Sequence, residues 1–472
     1  MERRASQESP VDMIDSGQFL AAEEMFSERR TDDPKEMVVR SEVAMYFDRL
    51  EDGAALLEQV SSRISDIDVA ARFSLSKGNL ALRRNDFEQA DTQLNTAYHF
   101  FLFQNDSFGI SRSLLGLARL ARLKGESGDA SSKLAEAQDG VKGRISKKVE
   151  FLRGLIASEQ AAAALDRGEI DQAADLYTEA GRLLKGTERG RHYGCALVGL
   201  ADLKCAIGEF QDSLELYKEA NTVFERYDLR HNLAESQLKL AEALVRLKRY
   251  ERAEKLAEES RELRRGDAVG ESAALALLAR LALQQNEIDE ATRRATDAVA
   301  LAEKGDSADA RARAHLALGH ARLAEREFNS ATESFQKATE LARSLNGSSE
   351  NRRLELESVI YLAEAYHNVD TRAGRGELNR ASEILNTVED AWLGDEYNRV
   401  SAKYEEQIIF TDDNRLVFDG NQLPRWQEAK RTLEGFLLRN ALRQTNNSLT
   451  RAARKLGVSK VHVHNLKKKH SI

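Results

Sequence analysis

A six-residue phrase recurs along this chain at a period of about 40, and it limits the fold more than any other feature. N-D-F-E-Q-A occupies 85–90, with Leu94 and Ala97 following. G-E-I-D-Q-A at 168–173 is followed by Tyr177 and Ala180, and G-E-F-Q-D-S at 208–213 by Tyr217 and Ala220. K-R-Y-E-R-A ends at Ala253, N-E-I-D-E-A at Ala291 and R-E-F-N-S-A at Ala331, the last with Phe335 and Ala338 behind it. The small residues at 173, 213, 253, 291 and 331 are spaced 40, 40, 38 and 40 apart. Ala90 to Ala173 is 83, with a degenerate copy between them around Ala130, Leu134 and Ala137. Weaker copies stand at Gly17–Ala22 and at Leu378–Ala381.

Apolar residues four and seven after the small one lie on one helix face. Each phrase therefore predicts the second helix of an antiparallel pair. The small residue brings that helix close to the first, and the aromatic or aliphatic residue four on reaches toward the next unit. Gly78, Gly116 and Gly319 fall in first helices, where a missing side chain again permits close approach. Pro occurs three times, at 10, 34 and 424, so helix breakers are scarce. One pair cannot bury its apolar face alone, and stacking is obligatory. The expected fold class is an all-α solenoid over residues 11–398, after a disordered 1–10. The small–aromatic–small pattern with Gly in the first helix resembles the tetratricopeptide (TPR) family. This chain departs from the family's usual period of 34 and lacks its terminating proline. Both departures imply longer helices, as in arrays of bacterial regulatory proteins. The resemblance implies a concave groove for a peptide, a protein or a small ligand, whose residues the altered period hides.

Charge divides the chain. From Arg425 onward there are twelve Lys and Arg against two acids, Glu428 and Glu434, a balance of +10. The whole chain carries -8, so residues 1–424 carry -18. A basic tail on an acidic body points to a nucleic-acid partner for the tail. Between them lies a junction, 399–424, in which the helical pattern stops from Tyr404 to Pro424. Ile408-Ile409-Phe410 and Leu416-Val417-Phe418 flank T-D-D-N-R and precede Asp419-Gly420, which reads as a small β-hairpin. It serves either as an ordered linker or as a partner-binding arm.

The tail, 425–472, reads as three helices. Trp426, Ala429, Leu433, Phe436, Leu437, Asn440 and Ala441 form one apolar stripe; Leu449, Ala452, Ala453 and Leu456 form a second. Gly457 suits a left-handed turn, Val458 is expected to plug the core beneath it, and Ser459 to cap the last helix, which Val463 and Leu466 hold down. The run T-R-A-A-R-K-L-G-V-S-K (450–460), with Lys468-Lys469 and the terminal Ile472, resembles the Fis-type helix-turn-helix family, which ends many bacterial enhancer-binding regulators. One departure is Lys467, where that family carries an apolar residue, so the end of the last helix is expected to rotate or fray. The resemblance implies that Ser459, Lys460, His462 and Asn465, with His464 beside them, face base edges. It places Thr450, Arg451, Lys468 and Lys469 against phosphates, which position a domain without reading sequence.

Other classes find no support. No phosphate-binding G-x-x-x-x-G-K-[ST], no G-x-G-x-x-G after a strand, no H-E-x-x-H and no G-x-S-x-G is present. His462 and His464 are two apart on a helix and point to different faces, so neither a metal nor a cofactor is expected. Cys195 and Cys205 read as buried, reduced thiols rather than a disulfide framework. The first residues lack the apolar core of a signal peptide and no window is apolar enough for a membrane span, so a cytoplasmic, non-enzymatic protein is expected. The expected function is a DNA-binding transcriptional regulator, a homodimer whose array senses a ligand and whose tail reads DNA. The alternative is a non-catalytic interaction scaffold with a degenerate helix-turn-helix.

Overall fold

The computed structural model describes residues 9–27, 32–186, 190–305, 307–345, 348–388, 390–405, 409–410, 416–417, 426–445 and 447–470. It is all-α apart from one minimal hairpin. The array comprises α1 (Pro10–Asp15), α2 (Phe19–Ser27), α3 (Pro34–Tyr46), α4 (Leu50–Ser61), α5 (Ile67–Arg83), α6 (Phe87–Phe103), α7 (Ser107–Leu123) and α8 (Ser127–Gly140). It continues through α9 (Lys147–Asp166), α10 (Ile170–Leu184), α11 (Gly190–Ala206), α12 (Phe210–Arg226), α13 (Arg230–Arg246), α14 (Tyr250–Leu263), α15 (Ala268–Gln284) and α16 (Ile288–Lys304). It ends with α17 (Ala308–Ala324), α18 (Phe328–Ser344), α19 (Ser349–Tyr366), α20 (Thr371–Leu385) and α21 (Ala391–Glu405). The helices thus run seven residues past the expected end at 398, and α1 begins at Pro10, capped by the Ser9 side chain.

The period follows from helix length. α5, α6, α7, α11, α12, α13 and α15 to α18 are 17 residues each, and three-residue turns join most of them, which makes 40 per pair. The 38-residue step falls where α14 has 14 residues. The 83-residue step contains a 14-residue α8, a longer connection and a 20-residue α9. Within each pair the turn is closed by a left-handed residue two before the second helix, at Asn85, Gly125, Gly168, Gly208, Lys248, Asn286 and Arg326. The next N–H then donates back into the first helix, as Glu169 N does to Ala164 O at 2.9 Å and Arg249 N to Leu244 O at 2.9 Å. This is the Schellman closure, which satisfies carbonyls the helix end would leave bare.

The small residues of the phrase, Ala90, Ala173, Ser213, Ala253, Ala291 and Ala331, are fully buried. The residues four positions later fill the space between pairs. Leu94 lies where a Cβ on Gly78 or on Gly116 would come within 2.7 Å, so it wedges between its own first helix and the next. Tyr177 abuts Gly199 of the following pair, and Phe335 abuts Gly319 and stacks on Tyr361, ring centroids 6.1 Å apart. Among the two thiols, Cys205 is buried but Cys195 is exposed, contrary to expectation, and neither is in a disulfide. Cys195 lies on α11 between the buried Gly194 and Ala196, and its Sγ accepts from Asn232 Nδ2 of α13 at 3.6 Å.

Contacts also close between helices far apart in the sequence. The Tyr46 hydroxyl accepts from Arg191 N at 2.8 Å, Asp166 Oδ1 accepts from Ser349 N at 2.7 Å, and Arg112 reaches Asp15 at 2.9 Å. Phe19 stacks on Tyr46 at 4.0 Å and meets Phe151 edge-on at 6.2 Å.

At the junction, β1 (Ile409–Phe410) pairs antiparallel with β2 (Leu416–Val417), Ile409 opposite Val417. The rest of the expected hairpin, including Ile408, Phe418, Asp419 and Gly420, lies outside the described residues, as does Ile472. The tail forms α22 (Trp426–Gln444), α23 (Leu449–Leu456) and α24 (Lys460–Lys469), which pack on one another. Among the described residues no helix is long and apolar enough to cross a membrane.

Candidate functional site

Two regions present chemistry. The first is the concave side of the array, where first helices α9, α11, α13, α15, α17, α19 and α21 surround a cavity of about 1090 Å³. Its wall mixes apolar residues (Leu277, Leu316, Leu354, Trp392) with ionic ones from every helix of the ring. Lys239 Nζ lies 2.8 Å from Asp202 Oδ2, and Arg313 Nε 3.0 Å from Asp309 Oδ2. The two outer nitrogens of Arg399 each lie 2.7 Å from an oxygen of Glu364. Burial pushes the Glu364 carboxyl up, but the hydrogen bonds from Arg399 and Lys403 outweigh it and hold it down at about 2. The His320 imidazole is driven down to about 3, first by burial and then by the Arg280 guanidinium, so it is neutral in this wall. None of these side chains stands out in the sequence taken alone. A usable signal existed: Arg280 and His320, 40 residues apart, are polar residues repeating at the period of the first helices.

The second region is the tail. Ser448 caps α23 by accepting from Arg451 N, and α23 ends on Gly457 at φ +67, the left-handed conformation a glycine adopts without strain. Ser459 caps α24 by accepting from His462 N at 3.0 Å. The core beneath is Leu438, Ala441, Leu442, Ala452, Ala453 and Val463, with Leu449, Leu456 and Leu466 against it. Leu466 thus supplies the anchor that the Lys467 position lacks, and α24 stays helical through Lys469 rather than fraying.

Two expectations are corrected here. Val458 does not plug the core; it is 36 % exposed, because Ala453 and Val463 already fill the space under the turn. The buried face of α22 is Gly435, Leu438, Ala441 and Leu442 rather than the stripe through Leu433 and Leu437, which are 44 % and 45 % exposed. That is a rotation of about 100°, one residue on a helix of ~3.6 per turn. Gly435 makes the difference: a Cβ there would sit 3.2 Å from the His470 ring, so the glycine face is where α24's end packs. The side chains of Trp426 and Ala429 lie outside the described residues.

Thr450, Arg451, Ser459, Lys460, His462, His464, Asn465, Lys468 and Lys469 are all exposed. They are not equivalent. With Val463 pointing inward, helical spacing sets Val461, Asn465 and Lys468 on the opposite, outermost face. Val461, which the sequence reading passed over, is 69 % exposed at the centre of that face. Its i,i+4 relation to Asn465 was the signal. The Ser459 hydroxyl accepts the cap bond from His462 N. Lys469 Nζ is held 2.8 Å from Glu434 Oε2 on α22. Among the described residues no group of three or more His, Cys, Asp or Glu is placed to hold a metal ion.

Comparison with known proteins bears on the array. Residues 192–266 match the tetratricopeptide repeat family. With the helix pairs on both sides, the array is a TPR-like α-solenoid. It is similar in structure to the apo form of the quorum sensor NprR from B. thuringiensis, at 13% identity and a TM-score of 0.53, covering 74% of this chain and 98% of that one. NprR in complex with its cognate peptide NprX gives 14%, 0.51, 72% and 95%. The apo form of RapI gives 12%, 0.52, 79% and 98%. At such identities these likenesses speak to the fold. No curated protein sequence matches the chain.

Proposed function

We propose that this protein is a non-enzymatic transcriptional regulator whose TPR groove takes a peptide and whose tail reads DNA as a Fis-type helix-turn-helix. The observation that carries the DNA part is the capped turn. Gly457 and Ser459 fix the exit of α23 and the entry of α24, so the side chains opposite Val463 project from a rigid element. In this reading Lys460 donates to guanine acceptors, Asn465 pairs with adenine, Val461 meets a thymine methyl, and Arg451 and Lys468 hold phosphates.

The peptide part rests on the groove's mixed ionic and apolar wall, and on its likeness in fold to a solenoid whose structure holds a cognate peptide. One short recognition helix makes few base contacts, so a homodimer reading half-sites about 34 Å apart is expected.

The test is selection of bound fragments from random-sequence DNA by the full chain, across a salt series. A two-fold symmetric motif with affinity falling steeply in salt supports the reading. Failure to enrich any motif sinks the DNA part and leaves an interaction scaffold. Arg451→Ala and Lys460→Ala discriminate further: loss of DNA binding with the array still folded excludes the scaffold alone.

A further inference from the structure

Six large apolar side chains of the array are exposed among its described residues, and four of them share one edge. Ile67 opens α5, Leu102 and Phe103 close α6, and Ile145 stands two residues before α9. All four therefore lie where a second helix passes to the next first helix. Ile145 is 99 % exposed and Phe103 79 %. The edge is continuous. The Gln104 side chain donates to Asp68, which joins the first two of these connections. A Cβ on Gly140 would lie 3.6 Å from the Ser107 carbonyl oxygen, and Lys148 Nζ stands 5.1 Å from the centre of the Phe108 ring, which joins the second to the third. Apolar groups gathered on one surface and rimmed by charge mark an interaction site.

Charge splits this edge in two. The α4–α5 and α6–α7 connections, with the first residues of α5, carry Asp66, Asp68 and Asp106 against Arg63. The α8–α9 connection, with the first residues of α9, carries Lys142, Arg144, Lys147 and Lys148, and no acid falls between Asp139 and Glu150. Lys142 and Arg144 form no ion pair among the described residues. Shape divides the same way. The acidic half borders a cavity of about 350 Å³, with Val38, Val69, Phe101 and Phe108 buried in its wall and Asp68, Asp106 and Lys35 nearer solvent. The two guanidinium groups of that wall, Arg72 and Arg112, are already paired, with Glu42 at 2.8 Å and Asp15 at 2.9 Å. The basic half offers the counterpart, a branched apolar side chain in the middle of a loop with cations on both sides.

One chain thus carries both halves of a contact and leaves both open. An anionic partner, nucleic acid or lipid, would meet Asp66, Asp68 and Asp106 beside the cations. A second copy related by a two-fold axis avoids that conflict, because each basic loop then faces the other copy's acidic half. We infer that two copies of this chain join through this edge, Ile145 of each entering the cavity of the other while Arg144 faces Asp68. The inference rests on the homodimer reading of the proposed function and gives that dimer its interface.

The experiment is sedimentation velocity of the full chain over a dilution series, with circular dichroism as the check on folding. A dimer is expected, with a dissociation constant that rises with salt. Arg144→Glu, Asp68→Arg and Ile145→Ser, all at exposed positions, should each weaken it roughly tenfold or more, which corresponds to ~1.4 kcal/mol. Arg144→Glu combined with Asp68→Arg in one chain should recover most of the loss, because the reversed charges again face each other across the axis. A dimer that none of these substitutions weakens overturns this interface while the homodimer reading stands. Loss in both charge reversals without recovery in the combination overturns the pairing of the two halves. Assemblies that keep growing past the dimer overturn the two-fold arrangement, since a head-to-tail contact does not close on itself. A monomer at every concentration overturns both readings. If that monomer sediments with phosphatidylserine vesicles and Ile145→Ser abolishes the binding, the loop belongs to a lipid surface instead.

Discussion

The tail makes a prediction about salt that separates two neighbouring lysines. Log affinity for duplex DNA falls linearly with log salt, with a slope of about -0.9 per phosphate neutralised. Arg451 and Lys468 are exposed cations that form no ion pair among the described residues, whereas Lys469 is held 2.8 Å from Glu434. Two phosphates per protomer, or four per dimer, give an expected slope near -3.6 from these contacts at ~0.9 each. Lys468→Ala should flatten the slope by roughly 1.8 in the dimer, one contact per protomer. Lys469→Ala should change it little, since its charge is already balanced. Glu434→Gln should free Lys469 and steepen the slope by a similar ~1.8. The assay is fluorescence anisotropy on one duplex between about 50 and 200 mM salt, the interval over which phosphate-driven binding changes most visibly. Equal effects of the two lysine substitutions would refute the role given to Glu434. If neither substitution moves the slope, α24 does not lie against a phosphate backbone.

Three further outcomes follow from the packing and the charges. Phe335→Ala removes a fully buried ring that abuts Gly319 and stacks on Tyr361, and should cost about 3–5 kcal/mol. Because repeats couple to their neighbours, amide exchange should rise in α17 to α19 and leave α5 to α7 protected; uniform loosening would contradict this. Gly457→Ala places a Cβ in open space, so its cost is backbone strain of about 1–2 kcal/mol, seen as a lower melting transition of the tail with the array unchanged. Glu159 and Glu364 are both held down at about 2 against an ordinary 4.5. For both, burial raises the carboxyl and the arginine or lysine partners more than reverse it. Their contribution is present above pH 4.5 and is lost as pH falls toward 2, with a ceiling of about 3 kcal/mol each at ~1.36 per unit. Urea midpoints should drop over that window, and Glu364→Gln should lose less on acidification than the parent chain.

How much was legible in the sequence depended on which force fixed each feature. The solenoid was legible because its determinants are local and repeated: Ala173, Ala253 and Ala291 mark the packing of helix on helix at the same place in every pair. Even the irregular spacings, 38 and 83, carry information, since they locate the shortened α14 and the lengthened α9. The caps at Ser448, Gly457 and Ser459 were legible because capping is chemistry within a few residues. The buried face of α22 was not. Leu433, Leu437, Leu438 and Leu442 all look apolar, and only the partner surface, through His470 against Gly435, selects the second pair. The groove escaped for a similar reason. Its side chains come from first helices, whose polar residues look like any solvated face until the superhelix turns them toward one another.

That turning bears on sensing. In a repeat array each unit touches its neighbours, and a signal at one unit has no direct route to a distant one. Here ion pairs link α13 and α19 to the start of α21, through Arg246 and Arg353 at 3.8 Å from Asp390, and α15 to α19, through Arg280 at 3.3 Å from Glu357. Lys239 of α13, 3.7 Å from Glu350 of α19, bridges the same helices, and Asp166 of α9 reaches Ser349 of α19 from farther back in the array. In the proposed function, a peptide in the groove bears on all of these helices at once. A ligand coupled in this way acts on α21, the last helix of the array and the one from which the chain continues to the tail. Cross-linking α13 to α21 through cysteines placed near Arg246 and Asp390 should therefore mimic the bound state. DNA affinity that responds to peptide in the reduced protein and is indifferent to it once cross-linked is the expected result. A cross-linked protein that still responds to peptide would show that the signal travels by another route.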